Sequence, residues 1–273
     1  MSVRAFAFLI LLSLRAFGAE PAWQLHPEFK TEFEQRGVSG TALIYDEQAG
    51  TYHVFDRQRA QTAFIPASTF KIFNALVALE TGAVADEYEV MRWDGVKREF
   101  PGWNRDHSLA SAMKFSAVWF YQEVARRAGA ERMQAWLDKV RYGNRDIGGG
   151  IDAFWLDGGG LRISAVQQVD FLRRLARGEL PFSASAQEAV RRITIVDCAT
   201  DHIEHGKTGL SHPHGGGYFG WYVGWVEHDA RRWFFALNID MPKGIDDAPK
   251  RQQLAHALLA RVGALPAPAP VKQ

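Results

Sequence analysis

Period-two alternation of apolar and polar residues at both ends of the chain constrains the fold most strongly. Residues 40–46 and 51–55 alternate on either side of a turn at 46–50, which is typical of a β-hairpin. Further strands are predicted near the C-terminus, over 202–209, 218–226 and 232–239. Helical periodicity fills the region between these strands and flanks them, over 27–36, 66–81, 108–127, 130–140, 164–177, 184–195 and 248–262.

The two groups of strands are expected to join into one sheet that the terminal helices cover. We therefore predict an α/β (α+β) fold, in which an antiparallel sheet is flanked by N- and C-terminal helices and carries an inserted all-helical lobe. Residues 20–65 and 198–265 would form the sheet lobe and residues 66–197 the helical lobe, with a mobile Pro/Ala tail at 266–273. The cleft between the lobes is the expected place for an active site.

The first 19 residues have the pattern of a secretory signal peptide. Arg4 supplies the positive end, residues 5–14 form an apolar stretch that is too short to span a bilayer, and residues 16–18 resemble a cleavage site. Removing this segment with Arg4 and Arg15 leaves 30 basic and 31 acidic residues. The signal segment predicts export to the periplasm. Near-neutrality without a basic run predicts a protein that binds neither nucleic acid nor, after cleavage, a membrane.

The cysteine and the histidines predict neither a disulfide nor a metal site. Cys198 is the only cysteine, so no internal disulfide can form, and we expect a buried thiol without a reactive role. Histidine is a common zinc ligand, so one alternative is a zinc site formed by His202, His205, His212 and His214. Residues three apart on a strand point to opposite faces, however, so a solvated loop is the preferred interpretation.

The segment Pro66-Ala67-Ser68-Thr69-Phe70-Lys71 begins a helix that continues into an apolar run. Proline suits the first turn of a helix, and Ser68 and Lys71, three residues apart, lie on one face. A lysine can take a proton from a serine only if its amine is neutral, and burial lowers the pKa of an amine. The same spacing recurs at Ser111 and Lys114, so on its own it also fits a helix with an incidental serine and a solvated lysine.

Four further short motifs could complete a serine acyl-transfer site. Ser116 and Val118, predicted to lie within a helix, could relay a proton and exclude water, although a helical serine often bonds its own backbone. Trp155 could offer an indole N–H from a loop, or could simply belong to the core. The others are the segment 142–144, which also fits a plain turn, and the strand segment 207–209, where glycine would let a ligand approach the backbone.

In this order, the motifs resemble those of the class D, oxacillinase-type serine β-lactamases among the penicillin-recognising serine enzymes. The matches are Ser-Thr-Phe-Lys at 68–71, Ser-x-Val at 116–118, Tyr-Gly-Asn at 142–144, Trp-x-x-Gly at 155–158 and Lys-Thr-Gly at 207–209. The resemblance covers nearly the whole chain after the signal segment. Asp157 stands where many relatives carry Glu.

The resemblance implies a hydrolysis of β-lactams through a covalent intermediate on Ser68. Lys71 would be carbamylated by carbon dioxide and act as the general base, and Trp155 would hydrogen-bond the carbamate. Ser116 and Lys207 would pass a proton to the departing ring nitrogen. Beyond carbon dioxide or bicarbonate for this modification, no cofactor is implied, and the partner is a small β-lactam substrate bound by a monomer or homodimer.

The resemblance also assigns residues to substrate binding. The backbone N–H groups of Ser68 and Leu210 would form the oxyanion hole. Thr208 and Arg251 would hold the substrate carboxylate, with Gly209 leaving room beside the strand. The remaining assignments are Val118 as a wall that excludes water, and Tyr142, Gly143 and Asn144 as a structural motif.

Other functions remain open at this stage. A β-lactam sensor or penicillin-binding domain would be acylated but not deacylated, and a peptidoglycan transpeptidase or carboxypeptidase would be acylated by a cell-wall peptide. A plain esterase would need a histidine base and a Gly-x-Ser-x-Gly elbow, and neither surrounds a candidate serine. Substrate spectrum depends on the loops at 94–106 and 210–218.

Overall fold

A computed structural model of the protein describes residues 21–213 and 215–266. The predicted signal segment at 1–19, His214 and the tail from residue 267 onward lie outside the described residues. Where the chain is described, seven strands form one sheet in the order β1-β3-β2-β7-β6-β5-β4. The strands are β1 Ala22–Leu25, β2 Ser39–Asp46, β3 Thr51–Phe55, β4 Ile195–Cys198, β5 His202–Ser211, β6 Tyr218–His228 and β7 Arg231–Met241.

The pairing of β2 with β7 joins the two ends of the chain, as the sequence predicts. This antiparallel pair runs from Ser39 opposite Asp240 to Asp46 opposite Trp233. All neighbouring strands pair in the antiparallel sense except β1, which runs parallel to β3 at one edge. The short edge strands β1 and β4 were not predicted, because four residues give too little alternation to read.

Nine α-helices surround this sheet within the described ranges. They are α1 Lys30–Gln35, α2 Arg57–Gln61, α3 Lys71–Glu80, α4 Leu109–Phe115, α5 Val118–Ala128, α6 Ala130–Val140, α7 Ala165–Ala176, α8 Ala184–Ile193 and α9 Lys250–Arg261. Short 3₁₀ helices lie at Pro27–Phe29, Ala67–Phe70, Pro101–Trp103 and Gly244–Asp247. None of the described helices has the length and apolar character needed to cross a bilayer.

Alternate residues of the central strands pack against two different layers of helices. On β7, Phe234 belongs to the buried cluster under the helical lobe, together with Phe70 of the nucleophile segment. Its neighbour Phe235 points to the opposite face and packs with Phe33 of α1 and Leu258 of α9. The sheet is therefore the middle layer of the fold, and one of its faces supports the segment that carries Ser68.

The predicted helix over 108–127 is in fact two helices, α4 and α5, and this part of the prediction was wrong. The break falls at Ser116, whose backbone is left-handed with φ of 56°. No glycine or proline marks the position, so sequence periodicity alone gives no sign of the break. Tertiary contacts of Ser116, described below, account for its conformation.

Cys198 is exposed, which contradicts the predicted burial of its thiol. It ends the edge strand β4, all four residues of which are exposed. The prediction of a solvated loop for the histidines also fails at His205, which is buried on β5 and stacks on Trp225 at 3.9 Å between ring centroids. The described residues contain no group of three or more His, Cys, Asp or Glu side chains arranged to hold a metal.

Candidate active site

Ser68 lies in the 3₁₀ turn Ala67–Phe70, and Lys71 is the first residue of α3. Pro66 precedes the turn as predicted, and Ala67 takes a left-handed backbone with φ of 48°. Lys71 Nζ donates a hydrogen bond to Ser68 Oγ at 2.6 Å. The predicted pairing of nucleophile and amine is therefore present in the structure.

The side chain of Lys71 is completely buried, with 0% of its surface exposed. Its Nζ lies 5.6 Å from the centre of the Tyr121 ring, and its hydrogen-bond partner in the described parts of the chain is Ser68 Oγ. Burial, and next the positive charge of Lys207, hold the pKa of Lys71 well below its ordinary value. The expected direction of this shift is confirmed, and it favours the neutral form of the amine.

A second buried lysine, Lys207 of β5, contacts Ser116. Lys207 Nζ donates to Ser116 Oγ at 2.9 Å and to the carbonyl oxygen of Thr208 at 2.9 Å. Burial, helped by the charge of Arg251, lowers the pKa of Lys207 to about 7. Ser116 therefore bonds a lysine of the other lobe and not its own helix, and this contact fits the left-handed turn between α4 and α5.

Trp155 is buried against Phe70, the residue before Lys71, and has an unused donor. Its ring stacks on Phe70, with 5.1 Å between centroids and 26° between planes. Phe154 packs edge-on against the same indole. Trp155 Nε1 is buried without a hydrogen-bond partner among the described residues. A buried unpaired N–H is costly, so this donor fits a site that an acceptor fills in the working enzyme.

The segment 142–144 supports the loop that carries Trp155. The buried ring of Tyr142 packs edge-on against Phe70. Gly143 has φ of 53°, and any side chain there would overlap with the carbonyl oxygen of Arg162. Asn144 donates to Gly160 O at 2.9 Å and accepts from Arg162 N at 2.9 Å. These residues do not line the cavity around Ser68, in keeping with the predicted structural motif.

The strand β5 supplies the wall of the site opposite the nucleophile. Thr208, Gly209 and Leu210 all line the cavity, and Leu210 pairs with Gly220 of β6. A side chain at Gly209 would lie 3.0 Å from the carbonyl oxygen of Pro66, so glycine permits the close approach of β5 to the Ser68 turn.

Arg251 reaches the cavity from the first turn of α9. Its Nε donates to Ala248 O at 2.8 Å and its guanidinium also donates to Gly209 O. Burial lowers the pKa of Arg251 to about 10, so it remains a cation at neutral pH. Gly220 leaves the space through which this side chain passes, because a Cβ there would overlap with Arg251 Cδ.

These groups meet at a cavity of about 460 Å³ between the two lobes. Its lining residues are Ser68, Phe100, Pro101, Gly102, Trp103, Phe115, Ser116, Val118, Leu156, Thr208, Gly209, Leu210, Ile245 and Arg251. The predicted residues Ser68, Ser116, Val118 and Arg251 are thus brought together. The loop at 94–106, which was expected to affect the substrate spectrum, contributes an apolar wall at 100–103. Phe115 and Ile245 were missed as parts of the site, because no motif marks them in the sequence.

The charge of the cavity selects for an anionic ligand. The described residues that line it include no carboxylate, whereas Arg251 lines it and Lys207 bonds Ser116 of its wall. The rest of the wall is largely aromatic and aliphatic. The cavity is therefore complementary to a small molecule that has an apolar body and an anionic group.

Comparison with known proteins agrees with this geometry. Residues 35–260 match the family described as the penicillin binding protein transpeptidase domain. The chain is 42% identical over 247 residues to β-lactamase OXA-48 of Klebsiella pneumoniae, covering 89% of this chain and 91% of that protein. It is 40% identical over 270 residues to β-lactamase OXA-2 of Salmonella typhimurium, covering 97% and 96% of the two chains.

Solved structures extend the likeness to the fold. The class D β-lactamase YbXI from Nostoc superposes with a TM-score of 0.84 at 41% identity, covering 87% of this chain and 99% of that one. The class D enzyme FUS-1 (OXA-85) from Fusobacterium nucleatum gives a TM-score of 0.85 at 38% identity, covering 89% and 100%. With this identity over most of its length, the chain belongs to the class D serine β-lactamases of the penicillin-binding transpeptidase family.

Proposed function

We propose that the protein hydrolyses β-lactam antibiotics, penicillins among them, through an acyl-enzyme on Ser68 with carbamylated Lys71 as the general base. The observation that supports this best is the fully buried Nζ of Lys71 at 2.6 Å from Ser68 Oγ. Carbon dioxide reacts with neutral amines only, and burial lowers the pKa of this amine, which favours its neutral form.

The residues around Lys71 fit a carbamate. When bound to Nζ, carbon dioxide would supply a carboxylate that accepts the proton of Ser68 and later that of a water molecule. A buried anion needs hydrogen-bond donors, and the unpartnered Nε1 of Trp155 is a donor of this kind beside Phe70. Lys207 would add positive charge, and Val118 would help to exclude water.

In acylation, Ser68 Oγ attacks the carbonyl carbon of the lactam and the ring C–N bond breaks. The backbone N–H groups of Ser68 and Leu210 would receive the developing oxyanion, and loss of one such donor costs about 3 kcal/mol in other enzymes. Lys207 would release its proton through Ser116 to the departing ring nitrogen. A pKa of Lys207 of about 7 suits a group that gives and takes a proton at neutral pH.

The substrate carboxylate would bind between Thr208 and Arg251. The guanidinium of Arg251 is buried and remains positive, and the hydroxyl-bearing Thr208 lines the same cavity. Gly209 leaves the adjoining backbone of β5 open to the ligand. The apolar walls then receive the rest of the antibiotic.

Turnover of a chromogenic cephalosporin and of benzylpenicillin, with and without added bicarbonate, tests the proposal. We expect many turnovers per enzyme and an increase with bicarbonate. Acylation of one substrate molecule per protein without further turnover would instead indicate a sensor or penicillin-binding role. In Lys71→Ala we expect slow acylation to persist and deacylation to be lost, and unaltered turnover in this variant would contradict the assigned base.

We also propose that the protein is exported to the bacterial periplasm. Arg4 and the apolar residues 5–14 support this, because they have the pattern of a signal peptide. N-terminal sequencing of protein from a periplasmic extract should start near residue 20. An intact Met1 on protein confined to the cytoplasm would contradict export.

A further inference from the structure

The carboxylate of Asp157 links the loop that carries Trp155 to the end of β5. Its Oδ1 accepts a hydrogen bond from Ser211 Oγ, and its Oδ2 accepts one from His212 N at 2.9 Å. Ser211 is buried, with 1% of its surface exposed, and is the last residue of β5. Both oxygen atoms of this carboxylate therefore accept hydrogen bonds from a segment that begins 54 residues later in the sequence.

The residues next to this link belong to the active site on both sides. Leu156, directly before Asp157, lines the cavity, and so does Leu210, directly before Ser211. Trp155 precedes Leu156, stacks on Phe70 next to Lys71 in the chain, and carries a buried indole N–H without a partner among the described residues. The link therefore joins the segment that bears the indole donor to the segment that bears a proposed oxyanion donor.

Other contacts of the loop hold different parts of it. Asn144 bonds Gly160 and Arg162 at the base of the loop, and Asp152 pairs with Arg126 of α5 at 2.6 Å. The backbone bonds of Leu156 and Gly159 stay within the loop. In the described chain, side-chain hydrogen bonds between residues 155–158 and the sheet come from Asp157 alone.

We propose that Asp157 is a positioning residue whose link to Ser211 and His212 fixes Trp155 against the carbamate on Lys71 and sets the gap between Leu156 and Leu210. This inference rests on the proposed function. Without the link, the loop is free to move away from β5, and the indole N–H withdraws from the anion that it stabilises. Loss of Asp157 therefore lowers the carbamate occupancy of Lys71 more than it lowers the stability of the fold.

The test compares the bicarbonate requirement of Asp157→Ala with that of the wild type. We expect the bicarbonate concentration for half-maximal turnover to rise roughly fivefold to tenfold, as for the loss of about one hydrogen bond. Ser211→Ala removes one of the two bonds and should give a smaller rise. Asp152→Ala is the matched control, because it removes an aspartate of the same loop that bonds Arg126 instead of β5.

A second readout separates positioning from general destabilisation. Carbamate occupancy, measured by ¹³C NMR with labelled bicarbonate, should fall in Asp157→Ala at a concentration that saturates the wild type, while the midpoint of thermal unfolding matches that of Asp152→Ala. A bicarbonate requirement and occupancy equal to those of Asp152→Ala would overturn the proposal. A wild type that turns over no β-lactam would overturn the proposed function itself, so the two failures are distinct.

Discussion

Replacing Trp155 with phenylalanine removes the indole N–H and leaves an aromatic ring at this position. The phenyl ring can keep the stack on Phe70 and the edge contact with Phe154, whereas the N–H is lost. If this donor serves a carbamate on Lys71, the effect of Trp155→Phe must depend on bicarbonate. A donor with only a structural role would have the same effect in its presence and absence.

Without carbon dioxide, two contributions to the free energy of unfolding oppose each other. The N–H of Trp155 is buried and unpaired among the described residues, and such a group costs about 1–3 kcal/mol that the variant avoids. The smaller ring leaves a space in a fully buried position, which costs about 1–2 kcal/mol. The free energy of unfolding should therefore stay within about 1 kcal/mol of the wild type.

With carbon dioxide bound, the variant loses a hydrogen bond to a charged group. Such bonds contribute about 1.5–3 kcal/mol. At about 1.4 kcal/mol for each factor of ten, the bicarbonate concentration for half-maximal turnover should rise roughly 10- to 150-fold. Saturating bicarbonate should restore much of the lost turnover, because Ser68, Ser116 and Lys207 are unchanged.

Chemical unfolding and steady-state turnover, each at several bicarbonate concentrations, measure both quantities. Trp221→Phe is the control, since Trp221 is also buried but its Nε1 donates to Ile65 O at 2.9 Å. Trp221→Phe leaves the carbonyl oxygen of Ile65 without this donor, so its free energy of unfolding should fall equally with and without bicarbonate. A bicarbonate requirement of Trp155→Phe equal to that of the wild type would refute the role of the indole.

Two further predictions concern the cationic groups of the cavity. Gly220→Ala should raise KM about tenfold with a smaller change in kcat, because the added Cβ displaces the side chain of Arg251. In the control Gly217→Ala the added Cβ meets no neighbour, so KM should stay unchanged. Steady-state kinetics of the two variants measure these effects. Burial lowers the pKa of Lys207 from 10.5 in the unfolded chain to about 7, so the unfolded state binds more protons between these values. The free energy of unfolding of the wild type should therefore rise as pH rises from 7 towards 10. In Lys207→Met, denaturant titrations should show that this free energy rises less steeply with pH, by about 1.4 kcal/mol per pH unit. The same dependence on pH in both proteins would contradict the lowered pKa of Lys207.

The sequence is sufficient for the parts of this fold that follow a regular period. The strands at 40–46 and 51–55 and the three C-terminal strands have clear alternation, and each lies where it was predicted. The pairing of Ser68 with Lys71 was also predictable, because three residues separate neighbours on any helical face. These features depend on local rules.

The features that were missed depend on contacts between distant segments. Ser116 leaves the helical conformation in a sequence without glycine or proline, and Lys207, 91 residues away, bonds its hydroxyl. Cys198 is exposed because β4 lies at the edge of the sheet. The position of a strand in the sheet cannot be predicted from four residues. The role given to Asp157 likewise needs the three-dimensional proximity of its loop to the end of β5.

In the proposed mechanism, the buried amine of Lys71 captures carbon dioxide beside Ser68. The most direct measurement is ¹³C NMR of the purified wild type and of Lys71→Ala in labelled bicarbonate. One protein-bound carbamate signal should appear in the wild type, disappear on acidification and be absent from Lys71→Ala. No bound signal in an active wild type, or the same signal in Lys71→Ala, would contradict the claim.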